Sequence, residues 1–183
     1  MCASVALTGC GGASTATTAP SPKTAASSEP LPSIAIGVTV PGLLRGGVLA
    51  KRYTCDGQDT SFPVQWNGIP HGTAELVLVV LNFRAVHGRF VFAWAVAGLS
   101  PKLRGLAAGR LPPGAVIGRN GFGQDGYSIC PPSGTRESYA VKVIALPHKI
   151  AAQPGFDALT LYQEAERSTK VVGFSGVTYT RPR

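Results

Sequence analysis

The sequence is poor in charged residues, and acidic residues are the scarcest. Only 14% of its 183 residues are charged, and 9 acidic residues against 17 basic ones give a formal net charge of +8. A basic surface favours anionic partners. The basic residues are scattered, however, and no nucleic-acid-binding motif occurs, so we expect no nucleic-acid partner.

Long apolar runs and catalytic motifs are also lacking. No run of about 18 apolar residues occurs, so no transmembrane helix is predicted. The three histidines are widely spaced and form no pattern such as HExxH, so neither a metal site nor a cofactor is predicted. GFSG at 173–176 departs from the GxSxG nucleophile motif, because its second glycine comes one residue early. We therefore do not expect an enzyme.

Glycine and proline are abundant, with 23 and 15 residues, which indicates many turns and a β-rich fold. The segment ELVLVVLN (75–82) is an apolar run of strand length, as expected of a strand buried on both faces. A helix is predicted over 156–170, with Asp157 as N-cap and with Leu161 and Ala165 on one face. The other segments with strand character are 34–40, 90–99, 138–146 and 171–180. The pattern predicts a mainly β, two-sheet sandwich with few short helices.

The first 33 residues differ in composition from the rest. LTGC at 7–10 resembles the lipobox of bacterial lipoproteins, which implies that Cys10 is acylated and anchors the chain to a membrane. No basic residue precedes Cys10, whereas signal peptides normally begin with basic residues. Residues 11–33 are nearly all Ala, Ser, Thr, Pro and Gly, which is typical of a disordered tether.

These features predict three regions. Residues 1–10 form a partial signal peptide with a lipobox, residues 11–33 form the tether, and residues 34–183 form the folded domain. The expected location is extracytoplasmic, on a bacterial cell membrane, through a lipid anchor such as palmitate on Cys10. The alternative is a dispensable tail whose cysteine is incidental.

Two sequence blocks within the domain are distinctive. They read YTCDGQDTSFPVQWNGIP (53–70) and GRNGFGQDGYSICPPSG (118–134). Their order and spacing, with a strand containing Trp94 between them, resemble the phosphatidylethanolamine-binding protein family, in its bacterial branch related to Raf kinase inhibitor protein. The resemblance covers about residues 34–180. It implies a two-sheet β-sandwich with a small pocket at one end for a phosphate-like anion or a phospholipid headgroup.

The pocket residues that the resemblance implies are only partly kept. The family's Asp-Pro-Asp loop falls on residues 81–86, where Asn82 is the nearest polar replacement. Its His-Trp pair falls on Ala93 and Trp94, and its His-Arg-Tyr motif falls on residues 137–139. The histidines and aspartates are therefore lost, and the pocket is degenerate. The implied ligand-binding residues are Asn82, Trp94, Tyr127, Pro131, Pro132, Arg136 and Tyr139.

Two questions about these residues stay open. Arg84 or Arg136 could clamp a phosphate through paired hydrogen bonds, or both could be solvated loop residues. The resemblance also places Cys55 and Cys130 near the pocket end, where an oxidising environment favours a disulfide between them. The alternative is two free, buried cysteines. A disulfide requires Cα atoms within about 7 Å of each other.

Two functions follow from the resemblance. The first is an extracytoplasmic, lipid-tethered protein that binds a phosphate-bearing small molecule or a phospholipid headgroup. The second is a protein-interaction module, inhibiting a kinase or protease, without a small-molecule ligand. An open pocket with convergent hydrogen-bond donors favours the first. A filled pocket and a large exposed apolar patch favour the second.

Overall fold

The computed structural model describes residues 36–86, 89–169 and 171–183. The predicted signal peptide, Cys10 and the tether over 11–33 lie outside these residues. So do the two predicted domain boundaries. The described residues form eight strands, one 3₁₀-helix (Lys51–Tyr53) and one α-helix: β1 (Gly37–Thr39), β2 (Val64–Asn67), β3 (Glu75–Val86), β4 (Arg89–Leu99), β5 (Gly105–Leu106), β6 (Val116–Ile117), β7 (Arg136–Leu146), α1 (Ala158–Ser168) and β8 (Val172–Thr180).

The strands form two antiparallel sheets. The larger sheet has the order β6-β4-β3-β7-β8, and the smaller has the order β1-β2-β5. One hydrophobic core contains residues of both sheets, and a second lies between the large sheet and α1. The predicted mainly β, two-sheet sandwich is confirmed.

Strand β3 is buried on both faces, as its continuous apolar run predicts. Leu76, Leu78 and Val80 belong to the core shared with the small sheet. Val77 and Val79, which point the other way because strand side chains alternate, belong to the core beneath α1. The strand is central in its sheet and covered on both sides, so both sets of side chains are apolar.

Helix α1 begins as the sequence predicts. The Asp157 side chain accepts a hydrogen bond from the Thr160 backbone N–H at 2.7 Å, which satisfies one of the free donors of the first turn. Leu161 and Ala165 are buried against the large sheet, and Phe156 packs on the same cluster. This helix closes the outer face of β3.

A β-bulge positions Trp94. Val80 of β3 pairs with Trp94 of β4, but the next residue, Leu81, pairs with Phe92. Ala93 is therefore an extra residue, and both Ala93 and Trp94 belong to the core between the sheets. Bulges re-aim side chains in this way, and here the Trp94 ring contacts the ring of Tyr127, with centroids 5.6 Å apart.

Candidate functional site

A disulfide fastens two loops at one side of the sandwich. Cys55 and Cys130 are bonded, and their Cα atoms are 5.2 Å apart. The Cys55 N–H also donates to the Ile129 carbonyl at 3.1 Å. The predicted pairing of these cysteines is present in the structure. It joins the segment around Cys55 to residues 126–134, which we call the proline loop.

Asp59 forms a second link between the same loops. Its side-chain Oδ1 accepts a hydrogen bond from the Ile129 N–H at 3.2 Å. Its backbone φ is +47°, the only positive value of a non-glycine residue among those described. Such a conformation is sparsely populated outside glycine and persists only where surrounding contacts hold it. Those contacts place Asp59 and the two residues after it at the mouth of a cavity.

This cavity, which we call the Trp94 cavity, has a volume of about 360 Å³. That volume lies within the range of roughly 300–1,000 Å³ found for small-molecule sites. Residues from five separate parts of the chain surround it: 59–61, Trp94, 109–111, Ile117 and Tyr127. Those that matter for its chemistry are Asp59, Thr60, Ser61, Trp94, Arg110 and Tyr127.

The Trp94 indole is the unusual group of the cavity. Its side chain is 1% exposed, and its Nε1–H has no hydrogen-bond acceptor among the described residues. The other tryptophan, Trp66, donates its Nε1–H to the Leu103 carbonyl at 2.8 Å. Leaving a buried donor unsatisfied costs about 1–3 kcal/mol. An acceptor on a bound molecule would remove that cost.

Aromatic rings hold the indole in place. Trp94 lies edge-to-face with Phe62 and with Tyr127, with ring centroids 6.1 and 5.6 Å apart. The Tyr127 hydroxyl donates a hydrogen bond to the Tyr53 carbonyl. Burial raises the pKa of Tyr127 above its ordinary value, so this hydroxyl stays neutral. The wall that Tyr127 forms is therefore rigid and uncharged.

The rim of the cavity carries charge of both signs. Arg110 is exposed and lines the opening, and its guanidinium forms no ion pair within the described residues. Asp59 lines the same cavity, but its carboxylate already accepts a hydrogen bond from the Ile129 N–H. The adjacent Ser61 hydroxyl accepts the Gly109 N–H at 3.1 Å, which fixes the turn that presents Arg110.

Asn82, Glu137 and Tyr139 form a separate buried polar group. Asn82 of β3 lies opposite Tyr139 of β7, and its Nδ2 donates to Glu137 Oε2 at 3.3 Å. All three residues are less than 9% exposed. Burial first, and then the Glu137 carboxyl, raise the pKa of Tyr139. Glu137 thus puts a carboxyl group where the family resemblance implies a histidine.

The remaining predicted residues differ in burial. Pro131 is buried, whereas Pro132 and Arg136 are exposed. The side chain of Arg84 lies outside what the structure describes. The structure therefore brings Trp94 and Tyr127 together at one cavity, and Asn82 and Tyr139 together at a neighbouring polar group.

Arg181 occupies a position that the sequence analysis missed. Its Nε donates to Asp56 at 3.1 Å, and its Nη1 lies 3.1 Å from the Pro131 carbonyl and 3.4 Å from Cys130 Sγ. Nothing in the local sequence TYTRPR marks it. Only the pairing of β7 with β8 carries it to the proline loop, and the Arg181 N–H donates to the carbonyl of Thr135, the residue that follows this loop. Asp59, Ser61 and Arg110 were missed for the same reason, because their neighbours are distant in sequence.

The described residues hold neither a metal-binding cluster nor a membrane-spanning helix. Within residues 36–86, 89–169 and 171–183, no group of three or more His, Cys, Asp or Glu side chains is arranged to hold a metal ion. No helix in these ranges is both long and apolar enough to cross a membrane.

Comparison with known proteins identifies relatives for most of the chain. The family model described as phosphatidylethanolamine-binding protein matches residues 40–174. A UPF0098 protein of Methanothermobacter thermautotrophicus is 35% identical over 115 residues, which cover 60% of this chain and 75% of the relative. UPF0098 protein YbcL of Escherichia coli is 37% identical over 103 residues, or 51% of this chain and 56% of the relative.

Solved structures agree with these sequence matches. The crystal structure of E. coli YbcL, described as a new member of the mammalian PEBP family, superposes with a TM-score of 0.72 at 27% identity. The superposition covers 79% of this chain and 98% of YbcL. A putative phosphatidylethanolamine-binding protein homologue, CT736 of Chlamydia trachomatis, gives a TM-score of 0.71 at 24% identity, over 82% of this chain and 99% of the homologue. The latter likeness is one of fold.

Proposed function

Because the chain belongs to the phosphatidylethanolamine-binding protein family, we propose that its domain binds a small phosphate-bearing ligand in the Trp94 cavity. The phosphate is either free or part of a phospholipid headgroup. The observation that carries this proposal is the buried Trp94 N–H, which has no acceptor among the described residues. A phosphate oxygen is a strong acceptor for such a donor.

Arg110 supplies the charge that such a ligand needs. Its guanidinium lines the same cavity as Trp94, and guanidinium groups match the geometry of phosphate oxygens. Thr60 lines the same cavity, and a threonine hydroxyl can donate a further hydrogen bond. Asp59 opposes this attraction with its carboxylate, so we expect weak binding, in the millimolar range.

The protein-interaction alternative has less support. It requires a filled pocket and a contiguous exposed apolar patch. The structure has an open cavity at Trp94.

Titration with inorganic phosphate and with phosphoethanolamine, followed by NMR of the ¹⁵N-labelled protein, tests the proposal. The chain has two tryptophans, so two indole N–H signals report on it. We expect the Trp94 signal to shift at millimolar ligand, because its N–H gains an acceptor. The Trp66 signal should stay in place, because its N–H already donates to Leu103.

Two arginine variants sharpen this test. Arg110→Gln removes the charge at the rim and should weaken binding several-fold. Arg45→Gln is the matched control, since Arg45 is exposed and does not line the cavity. An immobile Trp94 signal, or equal affinities of the two variants, would refute phosphate binding at this cavity. Equal binding of phosphate and phosphoethanolamine identifies the phosphate as the recognised group.

We also propose that the domain is tethered outside the cytoplasm through a lipid on Cys10. The LTGC motif and the Ala/Ser/Thr/Pro/Gly-rich segment 11–33 support this arrangement. The Cys55–Cys130 disulfide supports it independently, because disulfides persist mainly in oxidising compartments.

Mass spectrometry of the protein extracted from bacterial membranes tests the anchor. We expect an acylated Cys10 at the N-terminus, and release of the protein from the membrane fraction in the Cys10→Ser variant. Unmodified Cys10 in the membrane-extracted protein would contradict the tether. That result would leave the ligand proposal untouched, because the residues that line the Trp94 cavity lie within 59–127 and not in the tether.

A further inference from the structure

A second cavity lies towards the opposite end of β3. Its volume is about 540 Å³, again within the usual range for small-molecule sites, roughly 300–1,000 Å³. Glu75, the first residue of β3, lines it, whereas Trp94 pairs with Val80 further along the strand. We call it the Glu75 cavity. No residue of the Trp94 cavity lines it.

Glu75 is a buried carboxyl group with spare acceptor capacity. It is 3% exposed. Its Oε1 accepts the Gly98 N–H at 2.8 Å and its Oε2 accepts the Ile150 N–H at 3.1 Å. A carboxylate offers about four lone-pair sites, so these two bonds leave about half of its capacity unused. Neither donor carries a full positive charge to offset that of the carboxylate.

Lys149 supplies a positive charge at the rim of the same cavity. Its side chain lines the cavity, and the residue is exposed. Its ammonium group takes part in no ion pair with any described residue. The cavity therefore presents a buried, negatively charged hydrogen-bond acceptor and an exposed, positively charged donor.

The remaining walls are mostly apolar. Leu99 is one of the lining residues, but its side chain is 1% exposed and belongs to the core between the sheets. Val116, Ile150 and Ala152 line it and are partly buried against the core beneath α1. Apolar surface of this kind favours an aliphatic group of a ligand by about 25 cal/mol per Å² removed from water.

We propose that the Glu75 cavity binds an α-amino acid with an apolar side chain. The ammonium group of the ligand donates to Glu75, its carboxylate meets Lys149, and its side chain packs against Val116 and Ile150. A ligand with one charge alone satisfies only one of the two ionic groups. This site is independent of the proposed phosphate site, so either can fail without the other.

Three probes with the same apolar side chain separate the contributions of the ammonium group and the carboxylate to binding. L-leucine carries both charges, isopentylamine lacks the carboxylate, and 4-methylpentanoate lacks the ammonium. The Gly98 and Ile150 amide signals should report binding by NMR, because both N–H groups donate to Glu75. We expect leucine to bind most tightly, isopentylamine more weakly, and 4-methylpentanoate not measurably.

Lysine variants provide the matched comparison. Lys149→Gln should raise the leucine Kd about two- to fivefold, as for a largely exposed ion pair, and should leave isopentylamine unchanged. Lys102→Gln is the control, since Lys102 is also exposed but does not line the cavity. Glu75→Gln should abolish binding of both amines. If that variant does not fold, the probe series and the Lys149 variant decide the question.

Several outcomes would overturn the proposal. They are unmoved Gly98 and Ile150 signals at millimolar leucine, binding of 4-methylpentanoate as tight as that of leucine, or equal leucine affinity of the Lys149 and Lys102 variants. The Trp94 indole signal should not respond to leucine. A response there, without one at Gly98, would place amino-acid binding in the other cavity and refute this assignment.

Discussion

Asp56 shows how one side chain holds the C-terminal residues of the chain against the segment around Cys55. Its Oδ2 accepts the Tyr179 hydroxyl at 2.7 Å and its Oδ1 accepts Arg181 Nε at 3.1 Å. The Tyr179 hydrogen bond, followed by Arg181, holds the pKa of the Asp56 carboxyl below its ordinary value of 3.8. Both partners stabilise the ionised form, so the ionised form stabilises the fold.

This pKa shift predicts a loss of stability in acid. Because the pKa is lower in the folded state, the contribution of Asp56 is present above the ordinary value of 3.8 and is lost as the pH falls below it. Asp56→Asn should lower the free energy of unfolding at neutral pH, and the difference from wild type should shrink below about pH 4. Urea denaturation at several pH values measures it.

Asp125→Asn is the matched control for Asp56. Asp125 pairs with Arg119 at 3.1 Å, but both side chains are at least half exposed, and exposed pairs contribute little. If Asp125→Asn lowers the free energy of unfolding at neutral pH as much as Asp56→Asn does, then burial and the Tyr179 hydrogen bond do not explain the contribution of Asp56.

Helix α1 depends on its buried face more than on its own sequence. An isolated helix of 11 residues is marginal in water. Leu161 and Ala165 are 4% and 0% exposed and pack on the outer core of the large sheet. The neighbouring Leu159 is 39% exposed. One helix therefore carries two leucines in opposite environments.

This contrast gives a matched pair of variants. Leu161→Ala should lower the free energy of unfolding by about 2–5 kcal/mol, because it leaves a cavity under the helix. Leu159→Ala should change it by less than about 0.5 kcal/mol, as is usual at the surface. Urea denaturation measures both. Similar losses for the two variants would mean that α1 does not pack as described.

The Cys55–Cys130 disulfide joins two loops that are not connected by strand pairing. The two residues are 75 positions apart, and the loop they close contains β2 to β6. Residues on both sides of the bond, Asp59 and Tyr127, line the Trp94 cavity. The bond thus limits the conformations of the unfolded chain. It also holds together the two loops that carry Asp59 and Tyr127.

Reduction of this bond should cost about 4 kcal/mol in the free energy of unfolding, from the chain-entropy model for a loop of this length. Urea denaturation with and without a phosphine reductant measures the difference. The double variant Cys55→Ser, Cys130→Ser should show the same loss and no response to reductant. If reductant leaves the free energy of unfolding of the wild-type protein unchanged, the bond is absent or does not stabilise the fold.

The sequence predicted some parts of the fold and site but not others. It predicted β3 as a doubly buried strand because every residue in that run except its first and last is apolar. It predicted the Asp157 cap because capping involves residues three positions apart. It placed Trp94 and Tyr127 among the site residues through the family resemblance. It missed Arg181 and Glu137, because their partners lie across strand pairs whose register no local pattern reveals.

The sequence by itself determined the local features of this protein: strand character, helix start and turns, since each depends on residues a few positions apart. Only the tertiary structure decided which polar groups are satisfied. Trp66 and Trp94 are both buried, yet Leu103 accepts from Trp66 and no described residue accepts from Trp94. Glu75 takes its two N–H donors from 23 and 75 residues away. Such pairings follow from how the strands and loops pack together, and the chemistry of both cavities depends on them.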